Sequence, residues 1–356
     1  MSDNSNLHTA KRNQDDEFYT LRETVEGELM HYHDDLRGKS ILCNCDDPVT
    51  SEFVKYFVRQ FDHLQLKKLV ATHYDPDEEN PSYFISYFND TNEDGDIDFS
   101  DAHQQQLRSN GDFRSADCLK LLDDCDVVVT NPPFSLFREY LATLIEHGKQ
   151  FLIIANDNAI TYKEVFPLLK DNKVWLGFHH GHTNFGVPDG YVLPKKYEGA
   201  TRQKLRSNGY ILDDDGKLIY RNLGNICWFT NLPSARHAGH VDVEGNYYDE
   251  QRFPKYDNYD AIEVSRVNDI PCDYEGVMGV PVSFFHKYDP DQFVVLGITD
   301  RQNTSGLRTK KYGPSDSPRY NDLNARSVVR LSDGTYKQKF ARVLIRHKRP
   351  DKRGDA

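Results

Sequence analysis

No stretch of this 356-residue chain reaches the ~18 consecutive apolar residues that a membrane-spanning helix needs, and hydrophobic residues are only 38% of it. Mean hydropathy is −0.73. A helical membrane protein is excluded, and no membrane is expected as a partner. The segment MSDNSNLHTAKRNQDDEF at the start carries no apolar core, so no secretory signal is expected. Six cysteines, at 43, 45, 118, 125, 227 and 272, contain no CxxC pair. That argues against a disulfide-stapled small scaffold and fits a reducing cytosol. Neither an internal repeat nor a coiled-coil heptad is visible. Disorder is disfavoured too, because aromatics reach 12%. The length fits about two domains at roughly 150 residues each.

Basic charge is scarce on average and concentrated in one place. The net charge is −12. Residues 301–356 nonetheless hold 15 Lys/Arg against 5 Asp/Glu, which is +10, so the first 300 residues carry −22. A polyanion partner is compatible with that asymmetry, since a local basic surface is what meets phosphates.

The first half alternates strand and helix patterns. Residues 39–45, 68–72, 126–130 and 151–155 are short apolar runs, the third all β-branched between Asp126 and Thr130. Between them lie helical spacings: Phe53, Val54, Phe57, Val58 and Phe61, then Leu136 to Ile145, and a further helix over 161–169. Residues 174–178 and 226–230 are expected as late strands. Strands joined through helices predict parallel βαβ units, hence an α/β fold with a doubly wound, mostly parallel sheet. Past about residue 186, Gly, Pro, Tyr and charged residues interleave, which predicts a β-rich and loop-rich continuation with strands near 217–221 and 293–297.

Asn131-Pro132-Pro133-Phe134 follows the 126–130 strand directly and precedes a helix. Ligands of open α/β sheets bind outside the carboxyl ends of the strands. Two prolines stiffen the loop, and Pro132 also restricts Asn131. The loop therefore presents one amide, backbone carbonyls and one aromatic ring. That set suits a planar amine: the Asn131 oxygen and the Pro132 carbonyl accept its N–H groups, and Phe134 stacks on its ring.

The stretch from Asp126 through Asn131-Pro-Pro-Phe134 to Tyr140 resembles the EcoRI-type adenine-specific DNA methyltransferases. So do Asp16-Glu-Phe-Tyr-Thr20, Gly111-Asp-Phe-Arg-Ser115, Lys255–Asp260 and Gly276–Pro281. The resemblance spans about residues 11 to 300. It implies a class I, Rossmann-like methyltransferase domain over 1–233 and a DNA target-recognition region over 234–356. It implies S-adenosyl-L-methionine as cofactor, double-stranded DNA as partner, base flipping and methyl transfer to adenine N6, in a restriction-modification or phage-protection role. Asn131, Pro132 and Phe134 are the implied catalytic residues. Phe18, Tyr19 and Thr20 are implied at the methionine end of the cofactor, and Cys45, Asp46 and Asp47 at its carboxylate and amine. Asp75 is implied at the ribose, and Asp112 with Phe113 at the adenine, Asp117 being the rival of Asp112. One departure stands out: the loop after residue 45 has no glycine between Asp47 and Phe53. A monomer in the bacterial cytoplasm is expected, whether or not a phage has infected the cell. Two other readings compete: an NPPF enzyme acting on RNA or a protein amide, and a DNA-binding protein that has lost methylation.

The segment Asp90-Thr-Asn92-Glu-Asp94-Gly-Asp96-Ile-Asp98-Phe-Ser-Asp101 has calcium-loop spacing, with Asp101 at the twelfth position. A structural calcium on Asp90, Asn92, Asp94, Asp96 and Asp101 is one expectation, and an acidic surface turn is the other. Zinc at His179-His180-Gly-His182 is not favoured, because no Cys or carboxylate lies at ligand spacing. Basic and aromatic residues interleave at 195–206, 301–312 and 337–353. Lys195, Lys196, Arg206, Arg308, Lys310, Arg342 and Arg346 are the expected DNA contacts.

Overall fold

The computed structural model describes residues 18–75, 82–188, 191–235, 239–243, 245–247, 252–301 and 306–351. Residues 16 and 17 of the N-terminal motif, and 302–305 and 352–353 of the basic stretches, lie outside them. The fold is mixed α/β. The chain divides into two compact units, one of residues 1–157 with 177–234, the other of 158–176 with 235–356.

The first unit is built on a ten-stranded sheet. Its strands are β1 (Tyr19–Thr20), β2 (Ser40–Cys43), β3 (Lys68–Thr72), β4 (Tyr83–Tyr87), β5 (His103–Gln106), β6 (Val127–Thr130), β7 (Gln150–Asn156), β8 (Trp175–Gly186), β9 (Tyr210–Leu212) and β10 (Leu218–Thr230). They run in the order β1-β8-β10-β7-β6-β2-β3-β4-β5, with β9 on β10. β3, β2, β6 and β7 are mutually parallel. On one side β4 and β5 add antiparallel, and on the other β10 does. The sheet is thus less parallel than the sequence suggests. The parallel strands carry continuous apolar runs: Ile41–Cys43, Leu69–Ala71, Val127–Val129 and Phe151–Ala155 are all buried, as is Ile226–Phe229 at the β7 end of antiparallel β10. A strand covered on both faces reads that way.

Local signals set the helices. Ser51 accepts from the Phe53 N–H and starts the helix Glu52–Arg59, which buries Phe53, Val54, Tyr56, Phe57 and Val58. Ser115 caps Ala116–Asp123 in the same way through the Cys118 N–H. The helix expected from residue 135 begins as a 3-10 turn, Phe134–Leu136, and becomes α only at Phe137–Glu146. The expected helix 161–169 is shorter, Phe166–Lys170, and belongs to the second unit. The late strands are longer than expected: 217–221 and 226–230 both fall on β10.

In the second unit β11 (Ile262–Glu263), β12 (Met278–Pro281), β13 (Phe293–Ile298) and β16 (Arg342–His347) form one sheet, in the order β11-β12-β16-β13. β14 (Val328–Arg330) and β15 (Tyr336–Gln338) form a separate ribbon. Phe284, Phe293, Val343, Leu344 and Ile345 are buried in this unit. Among the described residues no helix is long and apolar enough to cross a membrane.

Candidate active site

The order β3-β2-β6-β7 places a reversal at β2. From β2 the chain moves to β3 on one side, then returns to β6 on the other. At such a switch point the loops after the two strands part and leave a crevice. The loop after β2 carries Cys45, Asp46 and Asp47, and the loop after β6 carries Asn131 to Phe134.

Asp46 joins the two loops. Its Oδ2 accepts from the Thr130 hydroxyl and, at 3.2 Å, from the backbone N–H of Asn131. Its Oδ1 accepts from Ser51 Oγ at 3.2 Å. Thr130 Oγ1 in turn accepts from the Cys45 N–H at 3.1 Å. Burial pushes the Asp46 carboxyl up to about 6, and the bonds from Thr130, Asn131 and Ser51 oppose that rise.

Asn131 is held at a second point. Its Nδ2 donates to the Phe18 carbonyl at 3.4 Å. Its Oδ1 is buried and has no hydrogen-bond partner among the described residues. A buried acceptor left unmade is costly, roughly 1–3 kcal/mol, and calls for an explanation. The amide is oriented with its donor side satisfied and its acceptor side open. Pro132 is buried and Phe134 half-buried, with its ring edge-on to Phe185 at 6.5 Å.

A cavity of about 220 Å3 opens beside this loop. Cys45, Asp46 and Asp47 line it from β2, His73 and Tyr74 from β3, Asp112 and Phe113 from the loop before Ala116, and Pro133 from the Asn131 loop. Asp47 accepts from the N–H groups of Val49 and Thr50 at 3.0 and 2.8 Å. These bonds, with His73 Nδ1 at 3.4 Å, hold its carboxyl below the usual range against burial, which pushes it up. Both Asp112 oxygens are bound by Arg114, at 3.0 and 2.7 Å. Phe113 is buried edge-on against Tyr140 at 5.0 Å.

Close approach at the cavity is made by Gly111. It has φ +82°, and a Cβ there would lie 2.0 Å from the His73 carbonyl oxygen. The glycine missing after β2 thus has a counterpart after β3, where the Asp112 loop presses on the strand end.

The other residues expected at the cofactor lie outside this wall. Asp117 does not line the cavity: it accepts from the Arg108 N–H at 2.6 Å and fixes that turn. Asp75 is buried, with its N–H on the Asn110 carbonyl, and His73 and Tyr74 occupy the wall instead. Phe18, Tyr19 and Thr20 are also outside the lining. Tyr19 and Thr20 form β1 against Gly186 and Phe185, and the Phe18 ring meets Tyr191 at 5.3 Å. Sequence does not single out Thr130, Ser51 or Gly111. Of the three, only Gly111 carries a signal, as the first residue of the Gly-Asp-Phe-Arg-Ser stretch.

The acidic loop is a correction. It joins the antiparallel strands β4 and β5, and its carboxylates turn onto its own amides. Asp90 accepts from the Glu93 and Gly95 N–H groups, Asp94 from Asp96, and Asp101 from Thr91 and Asp98. Asn92 Oδ1 accepts from the Asp94 N–H. Among the described residues no three His, Cys, Asp or Glu side chains gather as a metal site. Calcium is not supported. His179 Nδ1 meets the buried Glu28 at 2.8 Å, a partner too distant in sequence to be foreseen.

The expected DNA contacts differ widely in exposure. Lys195, Lys196, Arg206 and Arg346 are exposed. Arg206 lines an open cavity of about 480 Å3 with His182, Asn208 and Asn222. Arg308 and Lys310 are half-buried, donating to the Tyr259 hydroxyl and to Asp257, both at 2.9 Å. Arg342 is a correction: it is buried and makes a two-pronged pair with Glu263 at 2.8 and 3.1 Å, so its guanidinium does not face a phosphate.

The family model described as "Adenine-specific methyltransferase EcoRI" matches residues 6–348. The Type II methyltransferase M.EcoRI of Escherichia coli is 45% identical over 304 residues, 82% of this chain and 89% of that protein. M.MgeORF184P of Mycoplasma genitalium is 32% identical over 96% of this chain and 98% of its own. M.MpnI of Mycoplasma pneumoniae is 36% identical over 82% and 84%. No solved structure matches. With the match running through both units and across the Asn131 loop, the chain belongs to the EcoRI family of adenine-specific methyltransferases.

Proposed function

We propose that this chain methylates N6 of adenine in double-stranded DNA, with S-adenosyl-L-methionine as the donor, on a doubly wound class I scaffold. The observation that carries the reading is the open, buried Oδ1 of Asn131. A base amine brings the donors that this acceptor lacks.

The cavity fits the cofactor by its donor and acceptor set. Asp46 or Asp47 would take the ammonium group, and Asp112 with Phe113 the adenine, while the Gly111 turn admits close backbone approach. Bound there, the cofactor supplies a methyl carbon already activated by a sulfonium. The protein's work is then positioning and hydrogen bonding. Asn131 Oδ1 and the Pro132 carbonyl accept the two N6–H bonds, drawing the nitrogen lone pair out of conjugation. Phe18 O and Asp46 keep the amide from turning. The target must leave the duplex stack first, and Phe134 offers its ring to the extruded base. Lys195, Lys196, Arg206 and Arg346 are the exposed cations that suit the phosphates. A monomer in the bacterial cytoplasm, protecting DNA beside a restriction enzyme of the same site, completes the reading.

The test is long-read modification calling on DNA from cells expressing the chain, with Asn131→Ala beside it. Wild type should leave N6-methyladenine at one short sequence. Asn131→Ala should transfer about 10²–10³-fold more slowly with cofactor affinity unchanged by calorimetry. Near-wild-type turnover in Asn131→Ala would remove the catalytic assignment.

A further inference from the structure

The outer half of β10 has a gap in its pairing. Residues 218–221 pair with β9 and residues 226–230 with β7, and residues 223–225 between them pair with neither strand. The open cavity of about 480 Å3 lies at this gap, lined by Leu223 and Gly224, by Arg221, His182 and Arg206, and by the turn 207–209. None of its lining residues carries a carboxylate, in a chain whose net charge is −12. The aspartates 213–215 stand past the far end of β9.

The walls are set by bonds within the protein. Arg221 Nη1 donates to the carbonyls of Asn208 and Asn222 at 2.6 and 3.1 Å, and its guanidinium lies 4.2 Å from the ring centre of the buried Tyr210. Gly209, with φ +80°, lets the turn press on β10, where a Cβ would lie 2.2 Å from the Asn222 carbonyl oxygen. His182 Nδ1 lies 3.0 Å from Asn222 Oδ1, and Asn222 Nδ2 donates to Asn184 at 2.6 Å. Arg206, in the last turn of the helix Arg202–Ser207, is exposed.

The strand register relates this cavity to the Asn131 loop. Thr130 is level with Ile153 on β7, and Ile153 with Phe229 on β10. Gly224 is five residues farther towards the carboxyl edge of the parallel strands and two strands across. At ~3.3 Å per residue and ~4.8 Å per strand, that is on the order of 20 Å. One helical turn of duplex is longer, ~34 Å, so a strand that delivers an adenine to Asn131 passes within reach of the cavity. Two arginines without a carboxylate select an anion, and the planar guanidinium suits phosphate oxygens. A cation already pinned, as Arg221 is, loses little freedom on binding.

We propose that this cavity seats one backbone phosphate of the DNA strand flanking the target base, with Arg206 and Arg221 as its cations. This rests on DNA being the substrate. It adds a built seat, apart from the Asn131 site, to a surface otherwise read from exposed charge.

The test uses the full chain as wild type, Arg206→Ala, Arg206→Lys, Gly224→Val and the double variant Arg206→Ala/Gly224→Val. A Cβ at Gly224 meets the His182 ring at 3.3 Å, so valine crowds the cavity without changing the charge. Anisotropy of a labelled duplex of mixed sequence, over a range of salt, gives the slope of log affinity against log salt. Arg206→Ala and Gly224→Val should each reduce that slope by about one. The double variant should reduce it no further, because one phosphate is lost only once, and Arg206→Lys should keep it. Melting curves report the fold of each variant, and should Gly224→Val unfold, Ser207→Leu crowds the cavity from the exposed turn in its place. A full slope in the crowded variant beside a reduced one in Arg206→Ala overturns the seat and leaves Arg206 on a diffuse basic surface. Additive losses in the double variant, unchanged slopes throughout, or a wild type that binds no duplex overturn it as well. A wild type that binds duplex with the expected losses yet methylates no plasmid keeps the seat and removes the methylation reading.

Discussion

The hydroxyl of Thr130 and the backbone N–H of Asn131 donate to one and the same oxygen of Asp46. The last residue of β6 and the first residue of the Asn131–Phe134 loop are thereby referred to a carboxylate standing on the cavity wall. Thr130 touches neither cofactor nor base in the proposed function. It acts by fixing where Asn131 begins.

Thr130→Val should therefore slow transfer about ten- to hundred-fold, the worth of a hydrogen bond to a charged group. The cofactor dissociation constant should change far less. Thr130→Ser should restore the rate, since it keeps the oxygen that also accepts from Cys45. Single-turnover kinetics beside calorimetric titration separates these effects. Equal losses in rate and cofactor affinity would show that Thr130 serves the cavity and not the loop.

The Asp46 network also predicts an acid limb. Only the ionised carboxylate offers both oxygens as acceptors, and burial places its midpoint at about 6 in the free protein. kcat/KM should fall below pH 6 and level off above about 7. Stability runs the other way for this group. Its folded value lies above the unfolded ~3.9, so its contribution is fully present below that and is lost as pH rises through 6. Asp46→Asn should flatten the acid limb at a reduced rate. A limb that persists in Asp46→Asn belongs to another group.

Gly111→Ala should be far more damaging than a matched control. Its Cβ would collide with the His73 carbonyl, whereas a Cβ at Gly148, with φ +62°, would meet nothing within 4 Å. Gly148→Ala should cost only the left-handed backbone penalty, about 1–2 kcal/mol. Gly111→Ala should lower cofactor affinity at least about a hundred-fold, or prevent folding. Melting curves and calorimetry of the two variants make the comparison. Equal behaviour would deny the cradle.

Melting curves in millimolar calcium and in EDTA should coincide. Asp90, Asp94, Asp98 and Asp101 of the 90–101 loop already have donors, and hydrogen bonds from Thr91 and the Asp98 N–H push Asp101 down to about 2. Because that value is depressed, the contribution of Asp101 to stability is present above about pH 4 and fades as pH falls towards 2. Asp101→Ala should lower the melting temperature by several degrees in either buffer. A calcium-dependent rise that Asp90→Ala removes would reinstate a metal.

The parallel strands and the placement of Asn131 were legible because short, wholly apolar runs have few other solutions, and a stiff loop at such a strand's end has one usual location. β5 was not legible: His-Gln-Gln-Gln on an outer strand is half-exposed to exposed and carries no apolar signal. The outer halves of β8 and β10 hid for the same reason, their residues pairing in the sheet with little apolar burial. Arg342 reads as a surface cation until Glu263, 79 residues earlier, is brought against it. The acidic loop has a metal's spacing, and only the direction of its side chains tells a self-satisfied turn from a cage. Asp112 and Asp117 are indistinguishable by spacing; in the structure Asp112 lines the cavity and Asp117 holds the Arg108 turn.

The bond that Asp46 makes across the crevice bears on how this protein is altered by design. Grafting an NPPF loop from a relative, to change the base accepted, would import an asparagine whose backbone was registered to another carboxylate. Residues 44–51 and 127–136 should therefore be exchanged together, as one cassette. Shuffled libraries that cross over between them should lose activity more often than libraries that cross over within the acidic hairpin, whose Asp90, Asp94 and Asp101 accept from the hairpin's own N–H groups.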